Sequence, residues 1–120
     1  VPECINVAEL KEMIAAGWEI GSHSYTHADV TKNHGLATNE IAYSKIELER
    51  RLGIEVQTFA YPFGQIDPFV AKKVINAGYR AGMGLGISTQ HSLNTLFYLD
   101  RIEIYGSYSM DDFISKLSAE

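Results

Sequence analysis

The sequence has few cysteines, little positive charge and no long apolar run, and each shortage narrows what the chain can be. Its single cysteine, Cys4, rules out a disulfide within the chain. Ten basic residues against 15 acidic ones give a net charge of −5, so no basic stripe is available for a nucleic-acid partner. No apolar run approaches the roughly 20 residues that cross a bilayer, and we therefore predict no membrane span.

The sequence opens at Val1-Pro2-Glu3-Cys4, with neither an initiator methionine nor a charged-then-apolar leader pattern in these residues. We therefore expect an N-terminal segment to be missing, and the sequence leaves the localisation undetermined. The 120 residues are 46% hydrophobic, and no linker or low-complexity segment divides them. Residues 1–120 are accordingly expected to form a single domain.

Helix signals alternate with short apolar segments along the chain. A cap at Asn6, a proline at Pro68 after Asp67, and a cap at Ser109 mark helix starts. The predicted helices cover residues 7–16, 38–52, 68–77 and 110–117, and the predicted strands cover residues 18–20, 54–60, 79–83, 97–99 and 101–105. Strands separated by helices run parallel, so the pattern predicts an α/β fold, either a barrel or an open sheet.

Three glycines, Gly82, Gly84 and Gly86, lie at the end of the third predicted strand and just beyond it. Their spacing and setting do not match a dinucleotide-binding turn. We therefore expect them to let neighbouring backbone pass closely at a strand end. In the last helix, Phe113, Ile114 and Leu117 are expected to face inward.

Two histidines lie four residues apart just after the first predicted strand, in the run Gly21-Ser22-His23-Ser24-Tyr25-Thr26-His27. Neutral imidazole is a common ligand of zinc, and two rings at this spacing share one face if the residues between them make a helical turn. The alternative is a polar loop whose histidines only hydrogen-bond to backbone. Because active sites lie at the carboxyl ends of parallel strands, this loop and residues 61–65 are expected to converge, which favours a metal site.

Several stretches of the chain together resemble one known family. In chain order they are Gly17-Trp18-Glu19-Ile20-Gly21-Ser22-His23-Ser24-Tyr25-Thr26-His27, the helix over residues 40–53, Phe59-Ala60-Tyr61-Pro62-Phe63-Gly64, Ala77-Gly78-Tyr79-Arg80 and Leu99-Asp100-Arg101-Ile102. The first is similar to the His-Ser/Thr-x-x-His motif of the polysaccharide deacetylases, the NodB-homology family or carbohydrate esterase family 4. The likeness covers nearly the whole chain, and its first motif is the most specific.

The resemblance implies a fold, an activity and a metal. Members of the family adopt a distorted (β/α)7 barrel and remove N- or O-acetyl groups from sugar polymers such as chitin or peptidoglycan. The implied partner is an acetylated polysaccharide or oligosaccharide, and the implied location is extracellular or in the cell envelope. His23 and His27 match the two imidazole ligands of a divalent metal, usually zinc, which in the family is completed by an aspartate.

The resemblance also implies roles for a turn near the metal. The backbone N–H of Phe63 matches the family's donor to the oxyanion, and Pro62 and Gly64 set the shape of that turn. A preorganised backbone donor of this kind is typically worth about 3–4 kcal/mol where it has been removed.

Three further residues are expected to contact the substrate. Tyr25 and Tyr61, with Phe63, are predicted to form an aromatic platform for a sugar, although Tyr61 also fits a core position. Arg101 is expected near the site, where it either pairs with a carboxylate or forms a salt bridge at the rim. Ser24 and Thr26 fit equally a role in orienting the ligands and a role as hydrogen-bonding residues of the loop.

The chain departs from the family pattern in ways that limit the expectation. The Thr-Phe-Asp-Asp run that supplies the general base and the third ligand is absent, Ala60 replaces a common arginine, and no late Leu-x-His supplies a general acid. Asp29 is expected to be a solvated or capping carboxylate rather than a third ligand, and His34 and His91 to be surface histidines. Since a complete barrel needs roughly 200 residues, the expected fold is a partial (β/α)7-type barrel without its first strands.

Two functions of different class fit these observations. The first is a metal-dependent carbohydrate deacetylase, of which this chain would be the C-terminal part and would hold half of the metal site. The second is a non-catalytic carbohydrate-binding or structural relative, or an inactive fragment. In either case an open barrel exposes a strand edge and an apolar face, which predicts self-association.

Overall fold

The computed structural model of the protein describes residues 4–86, 88 and 90–117. Four α-helices and two β-strands form its regular elements, which are α1 (Val7–Ala15), α2 (Ser44–Leu52), β1 (Thr58–Ala60), α3 (Pro68–Asn76), β2 (Ala81–Met83) and α4 (Met110–Leu117). A π-helical turn, Thr38–Tyr43, leads directly into α2. Short 3-10 helices cover Val30–Lys32, His34–Leu36, Pro62–Gly64 and Leu93–Thr95.

The sheet is parallel, as the alternation of helices and strands predicts. Strands β1 and β2 pair with Phe59 opposite Gly82. Isolated parallel bridges extend the pairing on both sides, from Ser22 to Phe59 and from Met83 to Leu99. Four extended segments therefore lie side by side in chain order, which confirms the α/β class and agrees with sequential winding around a barrel.

Two predicted strands are wrong and the others are shorter than expected. Residues 18–20 do not pair, and Trp18 is 63% exposed; the ladder begins only at Ser22, whose N–H donates to the Thr58 carbonyl at 2.8 Å. Residues 101–105 form no strand either, and the last bridge is at Leu99. Apolar and alternating patterns reveal which residues suit a strand, but a strand also needs a neighbouring chain to pair with.

The helix ends agree with the sequence except at the start of α2, because residues 38–43 of the helix predicted over 38–52 form the π-helical turn instead. Asn6 and Glu9 form a reciprocal capping box at α1, and the Asp67 carboxylate accepts from the N–H of Val70 at the start of α3. Gly53, with φ of 67°, ends α2 in the left-handed conformation that glycine adopts without strain. These signals are local, which is why the sequence predicts them well.

The core lies between the sheet and two helical segments. The π-helical turn contributes Ile41 and α3 contributes Val70 and Val74, while Val56 and Phe59 come from the sheet side. Helix α1 contacts α2 but has no fully buried residue.

Among the described residues no helix is both long and apolar enough to span a membrane.

The inward packing predicted for α4 is wrong. Its Ser109 cap exists, since the Ser109 hydroxyl accepts from the N–H of Asp112 at 3.1 Å. However, Phe113, Ile114 and Leu117 are between 37% and 55% exposed. The amphipathic pattern is real, but the described part of the chain does not bury the apolar face of this helix.

Glycine is required at three positions where neighbouring groups leave no room for a side chain. An added Cβ at Gly82 would lie 2.6 Å from the Tyr61 hydroxyl, and one at Gly84 would lie 2.0 Å from the Tyr98 ring. A Cβ at Gly86 would meet the Asp100 carboxylate at 2.2 Å. The predicted close approach of neighbouring backbone is confirmed at Gly82, where a Cβ would also lie 2.9 Å from the Phe97 carbonyl oxygen, whereas Gly84 and Gly86 leave room for side chains.

Replacing Gly84 by alanine is expected to lower the free energy of unfolding by about 1–3 kcal/mol, because the methyl group overpacks the Tyr98 ring. Urea denaturation would measure this loss. Gly106→Ala is the matched control, since a Cβ there meets no atom within 4 Å and its stability should change little. Equal stability of the two variants would contradict the close packing.

Candidate active site

The two histidines predicted as a pair lie together. The ring centroids of His23 and His27 are 4.8 Å apart, with the planes inclined at 60°. The turn between them is not helical, which corrects the expected conformation. Instead Ser24 and His27 adopt positive φ values of 72° and 63°, and the His27 N–H donates to the Ser24 hydroxyl at 2.8 Å. We call residues 21–27 the histidine loop.

One imidazole already has a fixed orientation. The Nδ1 atom of His23 lies 2.8 Å from the carbonyl oxygen of Ala60, the last residue of β1. Because a carbonyl oxygen only accepts hydrogen bonds, Nδ1 donates, and in the neutral tautomer that this bond selects Nε2 carries the lone pair. This is the arrangement in which a backbone carbonyl orients a metal-binding histidine.

The second predicted loop is a pair of overlapping turns. The N–H of Gly64 donates to the Tyr61 carbonyl at 2.9 Å, and the N–H of Gln65 donates to the Pro62 carbonyl at 3.2 Å. Phe63, between them, has a φ of 60°, an uncommon conformation for a residue with a side chain. Within the described ranges, no hydrogen bond uses the N–H of Phe63. We call residues 61–65 the Pro-Phe-Gly turn.

The two loops converge, as the strand order predicts. The Phe63 ring lies 4.7 Å from the His27 ring, centroid to centroid, and 58% of Phe63 is exposed. The Tyr98 hydroxyl donates to the Gly64 carbonyl at 2.8 Å and anchors the turn from behind. A free backbone N–H and a pair of imidazoles therefore lie close together at the carboxyl end of β1.

A buried carboxylate that the sequence interpretation missed holds the histidine loop. Glu40, on the π-helical turn, is 4% exposed and accepts from the N–H groups of Tyr25 and Thr26, both at 2.8 Å. Its other oxygen accepts from the Thr26 hydroxyl. Burial raises the pKa of Glu40, but the hydrogen bonds from Thr26 and Tyr25 outweigh it and hold the pKa below its ordinary value. Of the two roles that the sequence leaves open for Thr26, its hydroxyl therefore has the one of a hydrogen-bonding group of the loop, with Glu40 as its partner.

A cavity of about 520 Å³ opens beside His23 on the face of the sheet opposite the core. Thr58 and Ala60 line it, whereas Phe59 between them is buried in the core. Arg101 also lines it and donates to the carbonyls of Gly84 at 3.2 Å and Tyr61 at 3.5 Å. Arg101 is expected from the sequence to pair with a carboxylate, either at the site or at the rim. In the described part of the chain it forms neither ion pair.

The aromatic platform is smaller than expected. Tyr61 is fully buried, and its hydroxyl donates to the Phe97 carbonyl at 2.8 Å, so it is a core residue and cannot contact a sugar. Burial also raises its pKa and keeps the hydroxyl protonated. Tyr25 is 54% exposed and its ring lies 5.5 Å from that of Tyr43, which the sequence interpretation did not select.

The remaining candidates have structural contacts of their own. His34 lies 2.7 Å from Asp67 and stacks on Phe69, while His91 bonds to Thr95 and accepts from the N–H of Asp100. Asp29 caps the helix Val30–Lys32 by accepting from Thr31, as its alternative interpretation predicts. Across residues 4–86, 88 and 90–117, no group of three His, Cys, Asp or Glu side chains is arranged to hold a metal.

Comparisons with known proteins agree with the geometry. The family model described as Polysaccharide deacetylase matches residues 5–82, which is more than half of the chain. Comparison with the sequences of curated proteins finds no significant match.

Three solved structures illustrate the likeness in fold. The Streptococcus pyogenes deacetylase PplD, in complex with acetate, superposes with a TM-score of 0.86 at 23% identity over 95% of this chain. A polysaccharide deacetylase from Bacillus cereus has a TM-score of 0.82 at 27% identity over 96%, and a family 4 carbohydrate esterase from Streptomyces lividans, in complex with acetate, 0.61 at 19% over 68%. The chain spans 51%, 37% and 43% of these proteins' own lengths.

Proposed function

Because this chain belongs to the polysaccharide deacetylase family, we propose that the protein hydrolyses acetyl groups on an acetylated polysaccharide or oligosaccharide. The observation that carries the proposal is the convergence of the histidine loop with the Pro-Phe-Gly turn. Two of the similar structures hold acetate, which is the product that such a reaction releases.

We assign His23 and His27 to a divalent metal, with zinc as the expected ion. The donor chemistry fits, because both side chains are imidazoles and the Ala60 carbonyl favours the neutral tautomer of His23 in which Nε2 is free to bind a metal. They fill two of the four positions of a tetrahedral site, and the others fall to water or to groups outside the described residues. A bound divalent metal would supply Lewis-acid polarisation of an acetyl carbonyl and make water more acidic.

The protein's own contribution to the reaction would come from the Pro-Phe-Gly turn. The N–H of Phe63 is held in a tight turn and can donate to the oxyanion that develops on the oxygen of the acetyl carbonyl. Pro62 and the left-handed Gly64 fix the direction of that N–H, and Gly64 packs against Leu85 without room for a side chain. Because the turn already fixes this N–H, no free energy is needed to reorganise it when the negative charge develops.

The substrate would reach the site along Tyr25. The exposed rings of Tyr25 and Tyr43 form an apolar surface beside the histidine loop, and aromatic faces suit the C–H face of a sugar ring. Arg101 lines the neighbouring cavity and would donate to substrate oxygens there. Tyr61 has no part in this surface because it is buried.

A non-catalytic carbohydrate-binding protein is the second candidate. The observation that favours it is the incomplete donor set, since no third metal ligand joins the two histidines in the described ranges. Ala60 in place of an arginine points in the same direction. This protein would bind the same sugar polymer and release no acetate.

Removing the metal separates the two functions. The full-length protein, incubated with acetylated chito-oligosaccharides, is expected to release acetate, to lose this activity after chelation, and to recover it when zinc is added. Enzymatic acetate determination and metal analysis by mass spectrometry measure the two quantities. Sugar binding without acetate release supports the second candidate, and absence of zinc, acetate and sugar binding overturns both.

A further inference from the structure

Glu40 has an unusual set of partners for a buried carboxylate. Its three hydrogen bonds all come from the histidine loop, two from backbone N–H groups of Tyr25 and Thr26 and one from the Thr26 hydroxyl. No Lys, Arg or His of the described chain forms an ion pair with it. A buried charge is costly unless its environment supplies strong donors, and here a single loop supplies all of them.

The histidine loop needs such a partner because its backbone is strained. Ser24 and His27 both adopt left-handed φ values, and neither is a glycine. Such a conformation is unfavourable for a residue with a side chain and persists only where surrounding contacts impose it. Tyr25 and Thr26, which Glu40 binds, are the residues between these two strained positions.

The position of Glu40 depends in turn on the π-helical turn Thr38–Tyr43. Its irregular carbonyls have side-chain partners, since the Tyr79 hydroxyl donates to the Ile41 carbonyl and the Ser44 hydroxyl to the Glu40 carbonyl, both at 2.8 Å. The Ser44 hydroxyl also lies 2.8 Å from the hydroxyl of Ser22, the residue before His23. Residues 38–52 therefore hold the histidine loop at two places, at Ser22 and at Tyr25–Thr26.

We propose that Glu40 positions the two imidazoles for their ligand by clamping the backbone between them through a charged carboxylate. It is a positioning residue, because its contacts are to the loop and not to His23 or His27. Its consequence for metal affinity rests on the function proposed above, whereas its effect on the loop does not.

Glu40→Gln tests the proposal with little change in shape. The glutamine side chain is uncharged, and its NH2 group cannot accept hydrogen bonds from the loop. The backbone N–H groups of Tyr25 and Thr26 should therefore exchange with solvent about tenfold or more faster. Zinc affinity should fall by about 10- to 100-fold, as for other partners that orient metal ligands. Hydrogen exchange by NMR on the metal-free protein and calorimetric zinc titration give these two readouts.

Glu49→Gln is the matched control. Glu49 lies on the adjoining helix and also accepts from a backbone N–H, that of Val56, at the opposite end of β1 from His23. This variant should loosen the Val56 amide and leave the Tyr25 amide and the zinc affinity unchanged. If Glu40→Gln does not fold, Thr26→Val removes only the hydroxyl donor and should give the same pattern at smaller amplitude.

The two readouts distinguish this proposal from the function on which it builds. Unchanged exchange at Tyr25 and Thr26 in Glu40→Gln, or in Thr26→Val if Glu40→Gln does not fold, overturns the positioning role whatever the zinc affinity. Faster exchange in the variant, together with a wild-type protein that binds no zinc, supports the positioning of the loop by Glu40 and overturns the proposed metal function. Faster exchange together with weaker zinc binding supports both.

Discussion

Replacing His27 by alanine is expected to lower the zinc affinity of the full-length protein by more than about 100-fold, because losing a ligand should cost more than losing an orienting partner. Acetate release should fall with it, since the remaining imidazole, His23, leaves one protein ligand in the described part of the site. The Phe63 ring also loses its contact with His27. Calorimetric titration and an acetate assay on the same preparation measure both effects.

The control for this prediction is His34→Ala. It removes an imidazole of the same chemistry, but one that bonds to Asp67 and stacks on Phe69 instead of lying beside His23. Zinc affinity and acetate release should persist in this variant, with only a modest loss of stability. A His27→Ala protein whose zinc affinity stays within about tenfold of the wild type would show that the pair does not hold the metal.

Phe59→Ala is expected to give the largest loss of stability of the substitutions considered, about 3–5 kcal/mol. Phe59 is 1% exposed, and its ring packs against those of Tyr61 and Tyr79 at centroid distances of 5.5 and 5.4 Å. Truncation would leave a cavity where the sheet meets the helices. Urea or guanidinium denaturation reports the loss as a lower midpoint.

Phe113→Ala supplies the comparison for Phe59. It removes the same ring from α4, where the residue is 37% exposed and no fully buried neighbour surrounds it on its helix. The loss there should stay below about 1.5 kcal/mol. Similar losses at the two positions would mean that the core does not lie where the structure places it.

The parts of the site that the sequence predicts are those with local signals. The four-residue spacing of His23 and His27 and the run Pro62-Phe63-Gly64 indicate the two loops, and parallel strand order predicts that they meet. The conformation between the histidines is not local in this sense. A hydrogen bond to Glu40, 14 residues beyond Thr26, imposes a strained loop where the spacing alone suggested a helical turn.

The errors have a common physical origin in long-range packing. Residues 18–20 carry a strand-like pattern, but β1 begins only at Thr58, so no paired strand lies opposite them. The exposure of Tyr61 depends on the backbone of Phe97, 36 residues later, which accepts its hydroxyl. Glu40 is a residue type that is common on exposed helix surfaces. Nothing in the sequence marks it as buried except that it directly precedes the buried Ile41.

The π-helical turn before α2 has a consequence for changes in chain length. A π-turn is an α-helix that has gained one residue, so deleting one of residues 41–43, which lie between Glu40 and α2, would restore a regular helix. Each residue of an α-helix advances by about 100°, and side chains on one side of the deletion would rotate by that angle relative to the other. With α2 held in the core, Glu40 would swing away from Tyr25 and Thr26. A shortened helix could thus be more regular and yet leave the histidine loop unsupported, which makes the length of this segment as much a part of the site as its sequence.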